Sequence, residues 1–160
     1  MLKRKLRHIG KKGVQLKDSV GYMSPNPHRI TVDTNVLVAA TISEGPAYQI
    51  LRMARNRDVV LVLSLEILKE FKEVISRPRF GFSDEQIMSA LKQIISISEI
   101  VVPTVKINAV KEDPDDNIIL ETAVSGSVDY LVSRDRHLLD IAVYQKIRIV
   151  GPSEFLGLLK

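Results

Sequence analysis

Short apolar runs suited to β-strands alternate with segments of helical period along most of this chain, and that alternation restricts the fold more than any other feature. Ile30 to Val38 (ITVDTNVLV) is nearly continuously apolar, as expected of a strand buried on both faces of a parallel sheet. Pro46 suits the first turn of a helix over 46–57, with Tyr48, Ile50, Leu51 and Ala54 as its apolar side. Val59 to Leu63 predicts a second strand, and Ser64 caps a helix that runs to Ser76, ahead of Pro78. Ser83 and Gln86 form a capping box for a helix over 84–97. Ile100 to Val102 then predicts a short strand. The polar turn Lys111 to Asp115 opens a helix to Ser125, and Asp129 to Val132 is the next strand. A short helix covers 135–143, Ile147 to Val150 is the last strand, and Pro152 and Ser153 start a terminal helix. Strands alternating with helices imply an α/β sandwich around a parallel sheet.

Composition narrows the chemistry. A chain of 160 residues, 45% hydrophobic and 26% charged, can bury one ordinary domain core. No run approaches the roughly 18 apolar residues of a membrane span, and the basic N-terminus lacks the apolar stretch of a secretory signal, so a cytoplasmic protein without a membrane partner is expected. Without cysteine there is no thiolate nucleophile and no cysteine-based zinc or iron–sulfur site. The three histidines, His8, His28 and His137, are not spaced as a metal pair. Any bound metal must therefore take mostly oxygen ligands, which favours Mg²⁺, Mn²⁺ or Ca²⁺ over zinc.

Charge is divided unevenly. Residues 1–29 hold eight Lys/Arg against one acid, whereas the remainder is mildly acidic. The Pro-rich breaker Ser24-Pro25-Asn26-Pro27 separates a basic arm, residues 1–28, from a domain over 29–160. The arm is either a solubilising tail or a track for a phosphate backbone through Lys3, Arg4, Lys5, Arg7, Lys11 and Lys12.

Four carboxylates stand where a simple fold would not put them. Function gathers at the carboxyl ends of parallel strands. Asp33 interrupts the first apolar run, and Asp135 follows the strand 129–132. A buried Asp is costly unless it is paired. On the helix 115–125, Asp116 shares the stripe of Ile119, Leu120 and Ala123 that should face the sheet, while Glu121 falls on the opposite, solvent side. Asp113 and Asp115 suit the turn and the helix dipole. On the helix 65–76, Glu66, Glu70 and Glu73 form a like-charged stripe, and Glu70 lies nearest the apolar side. Asp33, Glu70, Asp116 and Asp135 are thus expected at one sheet edge, where crowded carboxylates require a compensating divalent cation. Such a site could activate water and stabilise in-line phosphoryl displacement.

These residues resemble the PIN (PilT N-terminus) domain family, whose toxin-like members include VapC. The matching segments are ITVDTNVLV (30–38), SLEILKEFKEVI (64–75), DPDDNIILETA (113–123) and YLVSRDRHLL (130–139), followed by Pro152 to Leu156. The resemblance spans about residues 29–158 and implies a three-layer α/β/α fold with a central parallel sheet and a metal-dependent nuclease, usually acting on RNA. By motif position, Asp33, Glu70, Asp116 and Asp135 match the catalytic acids, and Asn35 and Ser133 match supporting polar positions. Ser133 stands where Thr is more usual. The expected activity is an endoribonuclease with one or two Mg²⁺ or Mn²⁺ ions on Asp33, Asp116 and Asp135. Glu70 would be a ligand or a base acting through water, and Asp113 would contribute through water. Hydrolysis should leave a 5′-phosphate and a 3′-hydroxyl. Arg134 and Arg136 are candidates, with the arm, for RNA backbone contacts, and His137 reads as a surface residue. A homodimer and an antitoxin whose segment fills the acidic cleft also follow from the resemblance alone, although some family members process RNA without an antitoxin.

Two other classes make different demands. A non-cleaving RNA-binding or protein-interaction module on the same fold would have no use for an anionic cleft facing phosphates. A phospho-aspartyl receiver would need an acidic pair after the first strand, where position 35 is Asn.

Overall fold

A computed structural model of the chain describes residues 26–159. The basic arm as far as residue 25, with Lys3, Arg4, Lys5, Arg7, Lys11 and Lys12, lies outside the described residues. The rest forms a six-stranded sheet flanked by helices, in the order β3-β2-β1-β4-β6-β5. The strands are β1 (Arg29–Val32), β2 (Val60–Leu63), β3 (Ser98–Ile100), β4 (Tyr130–Val132), β5 (Val143–Tyr144) and β6 (Ile147–Val150). All neighbours pair in parallel except β5 and β6. The helices are α1 (Thr34–Ile42), α2 (Pro46–Arg55), α3 (Leu65–Ile75), α4 (Asp84–Ser96), α5 (Pro114–Ser125), α6 (Arg136–Ile141) and α7 (Pro152–Leu158), with one 3₁₀ turn at Pro78–Phe80. This is the three-layer α/β/α arrangement expected from the sequence.

Local chemistry sets most boundaries. Pro46, Pro114 and Pro152 each open a helix, where a missing N–H costs nothing. Ser64 caps α3 by accepting from the Ile67 amide, and the Ser83–Gln86 capping box is fully formed at α4. The central strands are buried on both faces; Ile30, Val32, Leu61, Leu63, Leu131 and Val132 are all fully buried, as is Thr31, whose hydroxyl donates to the Val62 carbonyl at 2.8 Å. α5 packs on β1, β2 and β4, and α2 packs on β2.

Three expectations fail. The strand expected over Ile100 to Val102 lies instead at Ser98–Ile100, directly after α4. The run Ile30 to Val38 is not one strand: β1 stops at Val32 and α1 begins at Thr34. Asp33 makes the break, because its carboxylate accepts from the Val36 amide at 2.9 Å and caps the helix. The tail of the sheet also differs. The helix expected over 135–143 ends at Ile141, and Val143–Tyr144 instead pairs antiparallel with β6 through a tight turn in which Gln145 and Lys146 both have positive φ.

Gly126 sits where α5 ends over β2. A Cβ there would meet Val62 Cγ1 at 2.5 Å, and that methyl belongs to a β-branched side chain buried in the sheet. We expect Gly126→Ala to cost about 1–3 kcal/mol, as overpacking does. Urea unfolding should show a lower midpoint at unchanged slope.

Candidate metal centre

In the strand order, β1 and β4 are neighbours, and the chain leaves β1 toward β2 but leaves β4 toward β6 and β5, in opposite directions across the sheet. The crevice at the carboxyl ends of β1 and β4 is the place where open α/β sheets bind ligands. Asp33 directly follows β1, and Ser133 to Asp135 directly follow β4. The ladder runs on into both: the Asp33 amide donates to the Val132 carbonyl at 3.1 Å, and the Ser133 amide donates to the Val150 carbonyl at 2.9 Å.

Asp33 is 3% exposed and held from two sides. Oδ1 accepts from the Val36 amide, while Oδ2 accepts from the Ser133 hydroxyl and, at 3.2 Å, from the Arg134 amide. The same Ser133 hydroxyl accepts from the Asp135 amide at 2.9 Å, so one side chain links the loops after β1 and β4. Burial pushes the Asp33 carboxyl up from its ordinary range, and these hydrogen bonds oppose that rise.

Asp116 lies in the first turn of α5 and is 6% exposed. Its Oδ2 is buried with no hydrogen-bond partner. Burial pushes its carboxyl up to about 7, and the neighbouring charges of Asp135, Asp113 and Asp33 push the same way. Carboxylate oxygens of Asp113, Asp116 and Asp135 all lie within 4.8 Å of one another. Asp113 caps α5 by accepting from the Asp115 amide at 3.1 Å, and Asp135 caps α6 by accepting from the His137 amide at 2.8 Å. Two helix starts, those of α5 and α6, therefore bring carboxylates to one place.

Glu70, on α3, is half-buried, whereas Glu66 and Glu73 are exposed. The Thr34 hydroxyl donates to Glu70 Oε2 at 3.1 Å. Burial raises the Glu70 carboxyl, the Thr34 bond lowers it, and Asp115, Asp113 and Asp33 raise it further. Among the described residues, the ion pairs are His28–Asp129 and Arg29–Glu99, at the opposite ends of the strands. None of the four acids is paired to a described Lys or Arg.

The cluster within 4.8 Å is Asp113, Asp116 and Asp135; Asp33 and Glu70 stand outside it, Asp33 near enough for its charge to raise both the Asp116 and the Glu70 carboxyls. Ser133 touches Asp33 directly. Asn35, by contrast, is exposed on the first turn of α1. Arg134, Arg136 and His137 are exposed around Asp135. Sequence reasoning missed Thr34, whose buried hydroxyl holds Glu70; the signal was its place just after a capping Asp. It also misplaced Glu121. That residue is 7% exposed rather than solvated, because the segment before α5 lies over it and the Ile107 amide donates to its Oε1 at 3.0 Å.

The donor set fits a hard divalent cation. It offers only oxygen, no described Lys, Arg or His forms an ion pair with it, and one buried carboxylate oxygen has no partner.

The PIN domain family matches residues 29–137, and the chain belongs to that family, whose members are generally nucleases. Its fold is similar to that of VapBC2 from Rickettsia felis, solved bound to a DNA fragment from their promoter, at 19% identity over 76% of this chain and 96% of that chain, with a TM-score of 0.54. It is also similar to PAE2754 from Pyrobaculum aerophilum, at 18% identity over 82% of this chain and 90% of that chain, with the same TM-score. Among curated proteins, no sequence matches this chain.

Proposed function

We propose that this protein is a divalent-metal-dependent endoribonuclease of the toxin-like branch of its family. The observation that carries the reading is the unpartnered, buried Oδ2 of Asp116 within a cluster of carboxylates at the switch point of a parallel sheet. Asp33, Asp116 and Asp135 would hold Mg²⁺ or Mn²⁺, and Asp113 joins them as a direct candidate by distance. The ion would neutralise the cluster and polarise the scissile phosphodiester.

The protein's own residues would do the remainder. Asp33, bonded from two sides, is the fixed point of the pocket. Thr34 holds Glu70 in place, and the raised affinity of Glu70 for protons suits a base that takes one from the attacking water. The water oxygen bonds to phosphorus, the bond to the 3′ oxygen breaks, and that oxygen leaves as a hydroxyl after gaining a proton. The products are a 5′-phosphate and a 3′-hydroxyl. Arg134 and Arg136, exposed beside Asp135, would hold the RNA backbone without reading bases. The basic arm would extend that grip.

The likeness to VapBC2 supports an antitoxin partner, and in this reading that partner would cover the acidic cleft. A homodimer and a cytoplasmic setting belong to the same reading; among the described residues no helix is long and apolar enough to cross a membrane.

Incubating the full chain with a mixed RNA pool tests the reading. Cleavage is expected with Mg²⁺ or Mn²⁺, none with EDTA, and sequenced products should begin with a 5′-phosphate. Metal-independent RNA affinity without cleavage in any divalent ion, lost on deleting residues 1–28, would instead make the protein a binding module.

A further inference from the structure

Between β3 and α5 the chain runs through residues 101–113 with no regular secondary structure. Side chains of α5 at positions 117, 121 and 125, each one helical turn apart, hold that segment by its backbone. Asn117 Oδ1 accepts from the amides of Ala109 at 3.0 Å and Val110 at 2.9 Å, and its Nδ2 donates to the Val110 carbonyl at 2.8 Å. Glu121 accepts from Ile107, and Ser125 Oγ accepts from the Thr104 amide at 3.0 Å. The helix thus treats an irregular segment much as a neighbouring strand would.

The end of this segment matters most. Asn117 is 6% exposed and Val110 is 2% exposed, so their bonds are buried and cannot be replaced by water at no cost. Asn117 directly follows Asp116, and only Lys111 and Glu112 separate Val110 from Asp113. Asp113 is also fastened to α5, through the Asp115 and Asp116 amides. A short closed loop therefore begins and ends at Asn117 and carries Asp113 across from Asp116.

We infer that Asn117 is a positioning residue: by clamping Val110 to α5 it sets the separation of the Asp113 and Asp116 carboxylates and so the metal affinity of the pocket. The inference rests on the metal-dependent reading above. Partners that orient a metal's ligands are each worth about 10- to 100-fold in affinity. Coupling is also reciprocal, so filling the pocket must tighten the clamp by the factor by which the clamp tightens the pocket.

Manganese is the probe, used on the full chain. Mn²⁺ binding to wild type, Asn117→Ala and Ser125→Ala is measured by electron paramagnetic resonance, on protein shown to be folded by circular dichroism. We expect Asn117→Ala to weaken binding about 10- to 100-fold, while Ser125→Ala, two turns away, stays within about twofold of wild type. Hydrogen exchange on wild type supplies a second measurement that needs no variant: saturating Mn²⁺ should slow exchange of the Ala109 and Val110 amides by about tenfold or more. Equal Mn²⁺ affinity in a folded Asn117→Ala protein overturns the inference and leaves the metal reading intact. So does unchanged exchange at Ala109 and Val110 when the variant does not fold. A wild type that binds no Mn²⁺ overturns both.

Discussion

Asp116→Asn is expected to raise the melting temperature of the metal-free protein at pH 8 and to reduce RNA cleavage at least about 100-fold, since even the partners of metal ligands are worth 10- to 100-fold. The two effects have one cause. At pH 8 the wild-type carboxyl is ionised, although burial and the charges of Asp135, Asp113 and Asp33 all disfavour that form. The folded protein bears this cost in the absence of an ion. An amide of nearly the same shape removes the charge, and its N–H groups can donate to the carboxylates around it. It thereby removes the feature that attracts a cation. Asp33→Ala should act in the opposite direction on stability. Asp33 caps α1 and accepts from Ser133 and Arg134, so its removal costs about 1 kcal/mol for the cap and leaves buried donors unpaired at about 1–3 kcal/mol each, partly offset by the burial cost of the charge. Differential scanning calorimetry of both variants with EDTA, beside the cleavage assay, separates the cases. A destabilised Asp116→Asn protein would mean that the Asp116 carboxylate is a structural group and would remove the main support for a cation site.

The parts of this fold that were legible in the sequence are those written in local chemistry. Caps at Ser64 and Ser83 and prolines at 46, 114 and 152 mark helix starts through contacts within one turn, so α2, α3, α4, α5 and α7 fall close to their expected positions. The break between β1 and α1 was not legible in the same way. Six of the nine residues of α1 are buried and most are apolar, so the helix has no polar face and no helical period to detect. The capping Asp33 was the available sign, but inside a β-branched run it reads as an interruption. The break also sets the side chains that follow it: a helix starting at 34 turns Thr34 toward Glu70 and leaves Asn35 exposed. Glu121 fails for a different reason. A helical wheel identifies the side away from the sheet but cannot show that the irregular segment 101–113 returns to cover it; that fact is carried by contacts of Asn117, Glu121 and Ser125. Asp116 is the clearest local departure, an acid on the buried stripe of its helix, whereas Asp33 and Asp135 cap helices and stand out by following parallel strands.

The same raised carboxyls fix the sign of the protein's response to pH. Asp116 in the folded chain titrates about 7, against the ordinary 3.8 of an unfolded aspartate. Asp33 and Glu70 are shifted in the same direction. Between these limits the folded state binds more protons than the unfolded state, so unfolding releases protons and stability falls as pH rises. Below about 4 the Asp116 contribution is complete, and above about 7 it is lost. The metal-free protein should therefore melt at a higher temperature at pH 5.5 than at pH 8, unlike a domain whose acids are satisfied by Lys or Arg. A divalent ion should reverse the order. Bound to the ionised cluster of the folded state, it would compete with protons for the same oxygens and stabilise in proportion to the logarithm of its concentration over its dissociation constant. Saturating Mn²⁺ should raise the melting temperature strongly at pH 8 and weakly at pH 5.5, and in Asp116→Asn it should do little at either pH. If the metal-free protein instead became more stable from pH 5.5 to 8, the acids would already be compensated within the fold, with no charge deficit left for a cation to fill.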